Sequence, residues 1–289
     1  MKTILYATDY SKNSSAALKY AHALSTKLKA RLLVIHVFDY PTLLDHLNFK
    51  AEDPFPGIEG DAFKKHNAKL QEFCKSTLDE EVDTLNIETE AIESKSVEDA
   101  IVSKAKEVEA LMIITGMKEG SALREVLLGS TTQNLLEKSP CPVLSIPADA
   151  DEIRIKTIVY ATDFEEEDLG AIDKLTEFAK PFKAKIRIVH LSNPQQAITE
   201  VQKKLLEEKL RKHIKYSPME FDFLSSEDVF TDLKLYLGMA NADIVAMLER
   251  EHKSLASQLF HRDMVKRMEG YGRLPLMCFN AKNYGIFHF

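Results

Sequence analysis

Apolar positions in this chain come in short runs, separated by longer stretches with helical spacing. Lys2–Thr8 is a brief apolar run closed by Asp9, suited to a strand buried on both faces. Ser11 and Ser14 precede Ala16, Ala17, Leu18, Tyr20, Ala21, Ala23 and Leu24, a spacing that predicts an amphipathic helix with a hydroxyl cap. Arg31–Phe38 reads as a second strand, and Asp39–Gly60, with its prolines and acidic groups, as a long excursion of the kind that forms lids. Asp61–Leu78 has helical spacing and Asn86–Ile92 alternates like a strand. Ser96–Val108 is helical in pattern, Leu111–Thr115 is a fourth strand, Ala122–Glu137 a fourth helix and Pro142–Ile146 a fifth strand. Strands alternating with helices predict a parallel sheet with right-handed crossovers.

The pattern then starts again. Residues 2–9 read KTILYATD and residues 156–163 read KTIVYATD, identical at seven of eight positions and offset by 154. Ala17-Leu18 falls on Ala171-Ile172, and the run ending in His36 falls on the run ending in His190. A period of this size is that of a domain, well beyond a solenoid unit. Second-half strands are expected near 156–162, 185–191, 220–224, 243–247 and 275–279. The polar stretch Pro147–Asp151 marks the boundary, giving one domain over 1–149 and another over 150–289. The expected fold is α/β, with two tandem doubly wound domains, each a five-stranded parallel sheet flanked by helices.

Charge and composition narrow the function. The 289 residues carry 38 Lys+Arg against 45 Asp+Glu, a net charge of -7. Residues 1–150 hold 17 basic and 23 acidic groups, the remainder 21 and 22, so neither half has the basic balance of a nucleic-acid binder. Cys74, Cys141 and Cys278 form no CxxC pair and sit on apolar elements, which predicts buried inert thiols. No apolar run has the length to span a bilayer and no secretory core is visible, so a cytoplasmic protein with no membrane partner is expected. No Ser-His-Asp order, HExxH or Walker lysine motif appears.

In an open parallel sheet a ligand sits outside the carboxyl ends of the strands, where strand order reverses. The first strand brings Thr8 and Asp9 to that edge, the second His36-Val37, and the fourth Thr115-Gly116. Gly116 and Gly129 leave room for close backbone approach, and the amides near Ser130 and Thr131 suit phosphate oxygens. His36 and His190 hold equivalent strand-end positions, one in each half, and read as packing residues.

On these residues the chain resembles a tandem member of the universal stress protein family. The resemblance rests on the opening strand ending in Thr-Asp in both halves. It rests also on the first-half closing segment Gly116…Leu127-Leu128-Gly129-Ser130-Thr131…Ser139-Pro140-Cys141-Pro142. It implies strand order 3-2-1-4-5 in each domain, with the two fifth strands paired to make an internal pseudo-dimer; homodimers of the tandem chain stay open. It implies binding of ATP, or of ADP or AMP, with magnesium as an accompanying ion. The Val37 backbone would meet adenine, and Gly116 would lie beside the ribose. Gly129, Ser130 and Thr131 would hold phosphates, and Thr8 and Asp9 would face the ribose–phosphate region, with Asp9 the metal ligand. The family's ATP-binding members space three glycines; here Gly116 and Gly129 keep the outer spacing, the middle position is Glu119, and Gly120 comes one residue late.

The second half departs further. Leu248 takes the place of Gly116, His261-Arg262 that of Gly129-Ser130, and Asp163 is expected as a capping or turn residue. Arg250, His252, Lys253, His261 and Arg262 read as a solvated face, with anion binding as the alternative. The resemblance implies a non-enzymatic stress regulator or sensor, with slow ATP hydrolysis left open. The alternative is a nucleotide-free module that engages a protein partner.

Overall fold

The computed structural model describes residues 2–11, 13–39, 58–79, 86–117, 130–150, 153–196, 198–250 and 261–284. The first half runs β1 (Thr3–Ala7), α1 (Ser14–Leu28), β2 (Arg31–Phe38), α2 (Ile58–Leu78), β3 (Ile87–Glu93), α3 (Val97–Glu107), β4 (Met112–Gly116), α4 (Ser130–Lys138) and β5 (Val143–Ile146). The second repeats it: β6 (Thr157–Ala161), α5 (Glu166–Ala179), β7 (Lys185–Ser192), α6 (Glu200–His213), β8 (Met219–Ser225), α7 (Val229–Met239), β9 (Ile244–Glu249), α8 (His261–Tyr271) and β10 (Leu276–Asn280). The expected strands are present within a few residues. The fourth helix was expected from Ala122; its first part, 122–129, lies outside the described residues, as do positions 40–57 of the long excursion.

Among the described residues ten strands form one sheet, in the order β3-β2-β1-β4-β5-β10-β9-β6-β7-β8. Each half has the order 3-2-1-4-5, and the halves meet where β5 and β10 pair antiparallel, Leu276 opposite Ser145 and Cys278 opposite Val143. Every other neighbouring pair is parallel. The junction hides two edges that would otherwise template aggregation. At the outer edges carboxylates of β3 and β8 face cations of the next strand: Glu88 pairs with Arg31, and Glu220 with Lys185.

Alternation along the strands sorts side chains to two layers. In β1, Ile4 and Tyr6 pack with α1 and α2, while Leu5 packs on the opposite face with α3. Both layers run unbroken through the β5–β10 junction, so the halves share their core. At roughly 1.5–3 kcal/mol per buried aliphatic side chain, this burial drives the fold. Cys74, Cys141 and Cys278 are buried in it, and burial pushes the Cys74 and Cys141 thiols up to about 12 and about 11. No helix among the described residues is long and apolar enough to cross a membrane.

Candidate functional site

Strand order reverses at β1, which has β2 on one side and β4 on the other. The crevice at its carboxyl end is where a doubly wound sheet receives a ligand. Thr8 still pairs, its N–H donating to the Ile35 carbonyl at 3.0 Å. The chain then turns: Thr8 Oγ1 accepts from the Tyr10 N–H at 3.1 Å, and Tyr10 takes a left-handed φ of 59°. Asp9 Oδ1 accepts from the Ser11 N–H at 2.9 Å and the Ser14 hydroxyl at 2.7 Å. Burial works to raise the Asp9 pKa, but these bonds outweigh it and hold the carboxyl below its ordinary range. Asp9 is thus an exposed, ionised group that also braces the turn.

The hydroxyl cap expected from Ser11 and Ser14 takes another form. The residue preceding α1 is Asn13, whose side chain makes no cap bond. Its amide instead donates across the crevice to the Met117 carbonyl at 3.0 Å, tying the start of α1 to the end of β4. Sequence reading missed Asn13; its one signal was the exchange for Glu167 at the equivalent second-half position. His36 Nδ1 lies 2.9 Å from the Thr8 carbonyl, the packing role expected of it.

Val37 has its backbone at this edge. Alternate residues of β2 turn their polar groups to the same side: the Phe38 carbonyl accepts from Ser94 beyond β3, the Ile35 carbonyl from Thr8 on the β1 side. Val37 therefore turns its N–H and C=O towards β1, two positions past the last paired residue, Ala7. Gly116 ends β4. A Cβ placed there would stand 3.4 Å from the Asn13 carbonyl oxygen and 3.7 Å from Ala17 Cβ, so an alanine fits and the glycine supplies room rather than a special backbone. Ser130 and Thr131 form the first turn of α4, whose N-terminus lies at the same sheet edge because the helix runs back from the end of β4 to the start of β5. Gly120 and Gly129 lie outside the described residues. A magnesium ion bound with phosphates needs only one or two protein carboxylates. Asp9 offers one, and among the described residues no cluster of three or more metal-ligating side chains forms.

The second half reproduces the turn and then closes the crevice. Thr162 Oγ1 accepts from the Phe164 N–H at 2.8 Å, Phe164 has φ 58°, and His190 Nδ1 lies 2.8 Å from the Thr162 carbonyl. Tyr6 donates to the Ser14 backbone carbonyl at 2.6 Å; its counterpart Tyr160 donates to the Asp168 side chain at the same distance. Strand register places Leu248 on Gly116, since Ile114 and Ala246 face the equivalent Tyr6 and Tyr160. Two residues on, Arg250 Nη2 donates to Asp168 Oδ2 at 3.1 Å, with Glu165 at 3.7 Å and Glu167 at 4.0 Å. The Arg250 side chain is 16% exposed and that of Asp168 4%. Arg250 thus does not sit on the solvated face expected of it. Burial raises the Asp168 pKa, with Arg250 and the Tyr160 hydroxyl opposing that shift.

What remains of the crevice is a cavity of about 50 Å³, bounded by Thr162, Asp163, Val189, Leu233, Met247 and Arg250. Ligand pockets run to roughly 300–1,000 Å³. Asp163 is not the helix cap: Glu165 and Asp168 form a capping box at α5, and Asp163 lies 3.8 Å from His190 Nδ1. His252 and Lys253 lie outside the described residues, and His261 and Arg262 open α8.

Comparison with known proteins agrees with this architecture. The chain is 32% identical to a universal stress protein of Methanocaldococcus jannaschii over 159 residues, covering 50% of this chain and 94% of that protein. It is 28% identical to a universal stress protein of Thermus aquaticus over 155 residues, covering 50% and 98%. The solved structure of an Archaeoglobus fulgidus universal stress protein superposes with TM-score 0.67 over 96% of this chain and 98% of that one; at 15% identity the likeness is one of fold. The profile described as the universal stress protein family matches residues 1–147, and the chain belongs to that family.

Proposed function

We propose that the chain is a nucleotide-responsive stress regulator of the cytoplasm that binds one adenine nucleotide, at the switch point of its first half. The observation that carries this reading is the contrast between two equivalent crevices. One is bordered by Gly116, while the other is filled by Leu248 and by Arg250 bound to Asp168.

Each residue then has a physical task. The Val37 N–H and C=O present a donor and an acceptor to the edge of adenine, selecting the base by backbone alone. Gly116 leaves space for the ribose, and Thr8 fixes the turn beside it. The first-turn amides of α4, with the Ser130 and Thr131 hydroxyls, donate to phosphate oxygens, aided by the helix dipole. Gly129 admits the phosphates to the backbone, and Gly120 serves as the middle glycine of the loop. Asp9 braces the β1–α1 turn and is the carboxylate available to a phosphate-bound magnesium ion. Hydrolysis is not part of the proposal, because Asp9 is the one acid assigned to the site and two donors already hold its Oδ1. Ligation stabilises the bound conformation by mass action, about 2.7 kcal/mol at a hundredfold excess over Kd.

Isothermal titration of the intact chain with Mg-ATP, ADP and AMP tests this. One nucleotide per chain is expected. A stoichiometry near two would refute the assignment of the closed half. Absence of co-purifying nucleotide, with no thermal shift in millimolar Mg-ATP, would favour the nucleotide-free interaction module.

A further inference from the structure

Away from both switch points, the outer face of α1 and the segment joining the halves enclose a groove of about 960 Å³. One wall is the α1 stripe Ala16, Lys19, Ala23 and Lys27, at positions i, i+3, i+7 and i+11 of one helix face. Ala148, Ala150, Ile153, Arg154 and Lys156 line the other wall. Tyr20 and Phe182 add aromatic surface.

The groove is cationic, though the chain as a whole is acidic. Lys19, Lys27, Arg154 and Lys156 are all exposed, and the α1 sequence contains no carboxylate. Among the described residues none of the four side chains makes an ion pair or a hydrogen bond. The nearby carboxylate of Asp243 is committed to the Lys156 and Thr157 N–H groups, at 2.6 and 2.8 Å. Asp149 is exposed but does not line the groove, and Asp151 and Glu152 lie outside the described residues.

The molecule contains its own control. The 154-residue offset carries Lys156 onto Lys2, Phe182 onto Leu28, Tyr20 onto Lys174, Ala23 onto Glu177 and Lys27 onto Pro181. These counterparts line a cavity of about 60 Å³ beside α5, also bordered by Met112 of β4 and by Met277 and Phe279 of β10, where Lys174 pairs with Glu177 at 2.8 Å. The related position is therefore nearly closed and neutralised from within. In the α1 groove both carboxylates of the α5 face are gone, Asp173 becoming Lys19 and Glu177 becoming Ala23.

We propose that the α1 groove is a docking site for an acidic peptide segment of a partner protein, with apolar residues set among its carboxylates. The shape argues for a peptide. Lys19 and Lys27 stand about 12 Å apart along the helix, at ~1.5 Å per residue. Arg154 and Lys156 face them from the other wall, with alanine, isoleucine and aromatic surface between. A lone phosphate needs converging donors; a strand of alternating charge and apolar side chains matches separated cations over an apolar floor. Electrostatic complementarity of this kind sets partner choice and encounter rate. The surface is independent of the nucleotide site.

Fluorescence anisotropy on the intact, nucleotide-free protein tests it. The probe is a fluorescein-labelled peptide of three Glu-Leu-Glu-Asp repeats, compared with the same peptide carrying Gln at every acid. Saturable binding of the acidic probe alone is expected, weakening as salt rises from about 50 to about 300 mM. Lys19→Glu with Lys27→Glu should weaken it about tenfold or more, since two attractive contacts become repulsive. Its thermal midpoint should match the unaltered chain, because both side chains are exposed. Asp151→Asn with Glu152→Gln should leave binding unchanged or tighter; weaker binding there would overturn the proposal. Equal binding of the Gln peptide, no saturable binding, or indifference to the lysine reversals would each overturn it. So would displacement of the probe by millimolar inorganic phosphate, which would mark a small-anion site. Sedimentation showing that the reversals convert a dimer to a monomer would assign the groove to a second copy of this chain instead.

Discussion

Replacing Arg250 with methionine isolates the energetics of the closed half. The guanidinium stands 3.1 Å from Asp168, and both side chains are largely removed from water. Methionine keeps much of the volume but leaves the Asp168 carboxylate buried without its cation. Removing one partner of a buried pair costs about 3–5 kcal/mol, because the remaining charge is uncompensated. The lower end applies here, since Tyr160 still donates to Asp168 at 2.6 Å and protonation offers an escape. For 289 residues unfolding with an entropy of about 2.1 cal/mol/K each, ~3 kcal/mol corresponds to a fall of ~5 °C in Tm. The pH dependence follows from linkage. A carboxyl whose folded pKa is raised binds more protons folded than unfolded, so its contribution to stability is complete below the unfolded value and is lost as pH rises through the folded one. Arg250 restrains that rise, so the variant should lose more stability between pH 5 and pH 8 than the unaltered chain. Thermal melts by circular dichroism across that range measure both effects. Adding Asp168→Asn to Arg250→Met should recover part of the loss, giving a coupling of about 1–3 kcal/mol in the double-mutant cycle. A single variant melting within a degree of the unaltered chain, or strictly additive changes, would refute the account.

Gly116→Leu places the second half's residue in the first half and should abolish nucleotide binding in titration calorimetry, whereas Gly116→Ala, whose Cβ makes only ordinary contacts, should bind detectably. Asp9→Ala should weaken binding, most with magnesium present, and Asp163→Ala should leave it unchanged. Asn13→Ala removes the bond to the Met117 carbonyl and should cost about 2 kcal/mol of stability in chemical denaturation, with lower nucleotide affinity. His36 and His66, stacked at a ring separation of 5.6 Å, both have pKa values lowered chiefly by burial, with Lys69 adding to the effect. A histidine with a lowered folded pKa contributes stability that is complete above its unfolded value and lost as pH falls through the folded one. The chain should therefore weaken below about pH 6.5, and His66→Phe should flatten that acid limb in melts at stepped pH.

The strands were legible because each is a short apolar run bounded by charge or a turn residue, a signal that survives without knowledge of neighbours. Lys2–Thr8 and Arg31–Phe38 are of this kind, and their register follows once both are known to be parallel. The order 3-2-1-4-5 was not in the pattern; it came with the family resemblance, and the structure bears it out. Helix starts were less legible. Ser11 and Ser14 carry the chemistry of caps, yet the Ser14 hydroxyl donates to Asp9 while Asn13 reaches a carbonyl 104 residues away. Capping preferences describe a side chain's local options, and a tertiary acceptor outcompetes them without leaving a trace in the local sequence.

Arg250 shows the same limit from the other side. Within Glu249-Arg250-Glu251-His252-Lys253 it looks like one charge in a solvated run. Its meaning depends on Asp168, which is 82 residues earlier, in the first turn of α5. The legible signal lay in the repeat. Behind the shared tyrosine, the first half has Ser14, which offers a backbone carbonyl, and the second has Asp168, which offers a carboxylate. A carboxylate introduced behind a buried phenol needs a cation, and just past the position where Gly116 matches Leu248 the second half has Arg250 where the first half has Lys118. Taken singly, each of the three exchanges looks like drift. Together they place bulk and an internal ion pair at the second-half switch point. The second half thus fills its switch point from within its own chain, and under the proposed function only the first half is left to a ligand.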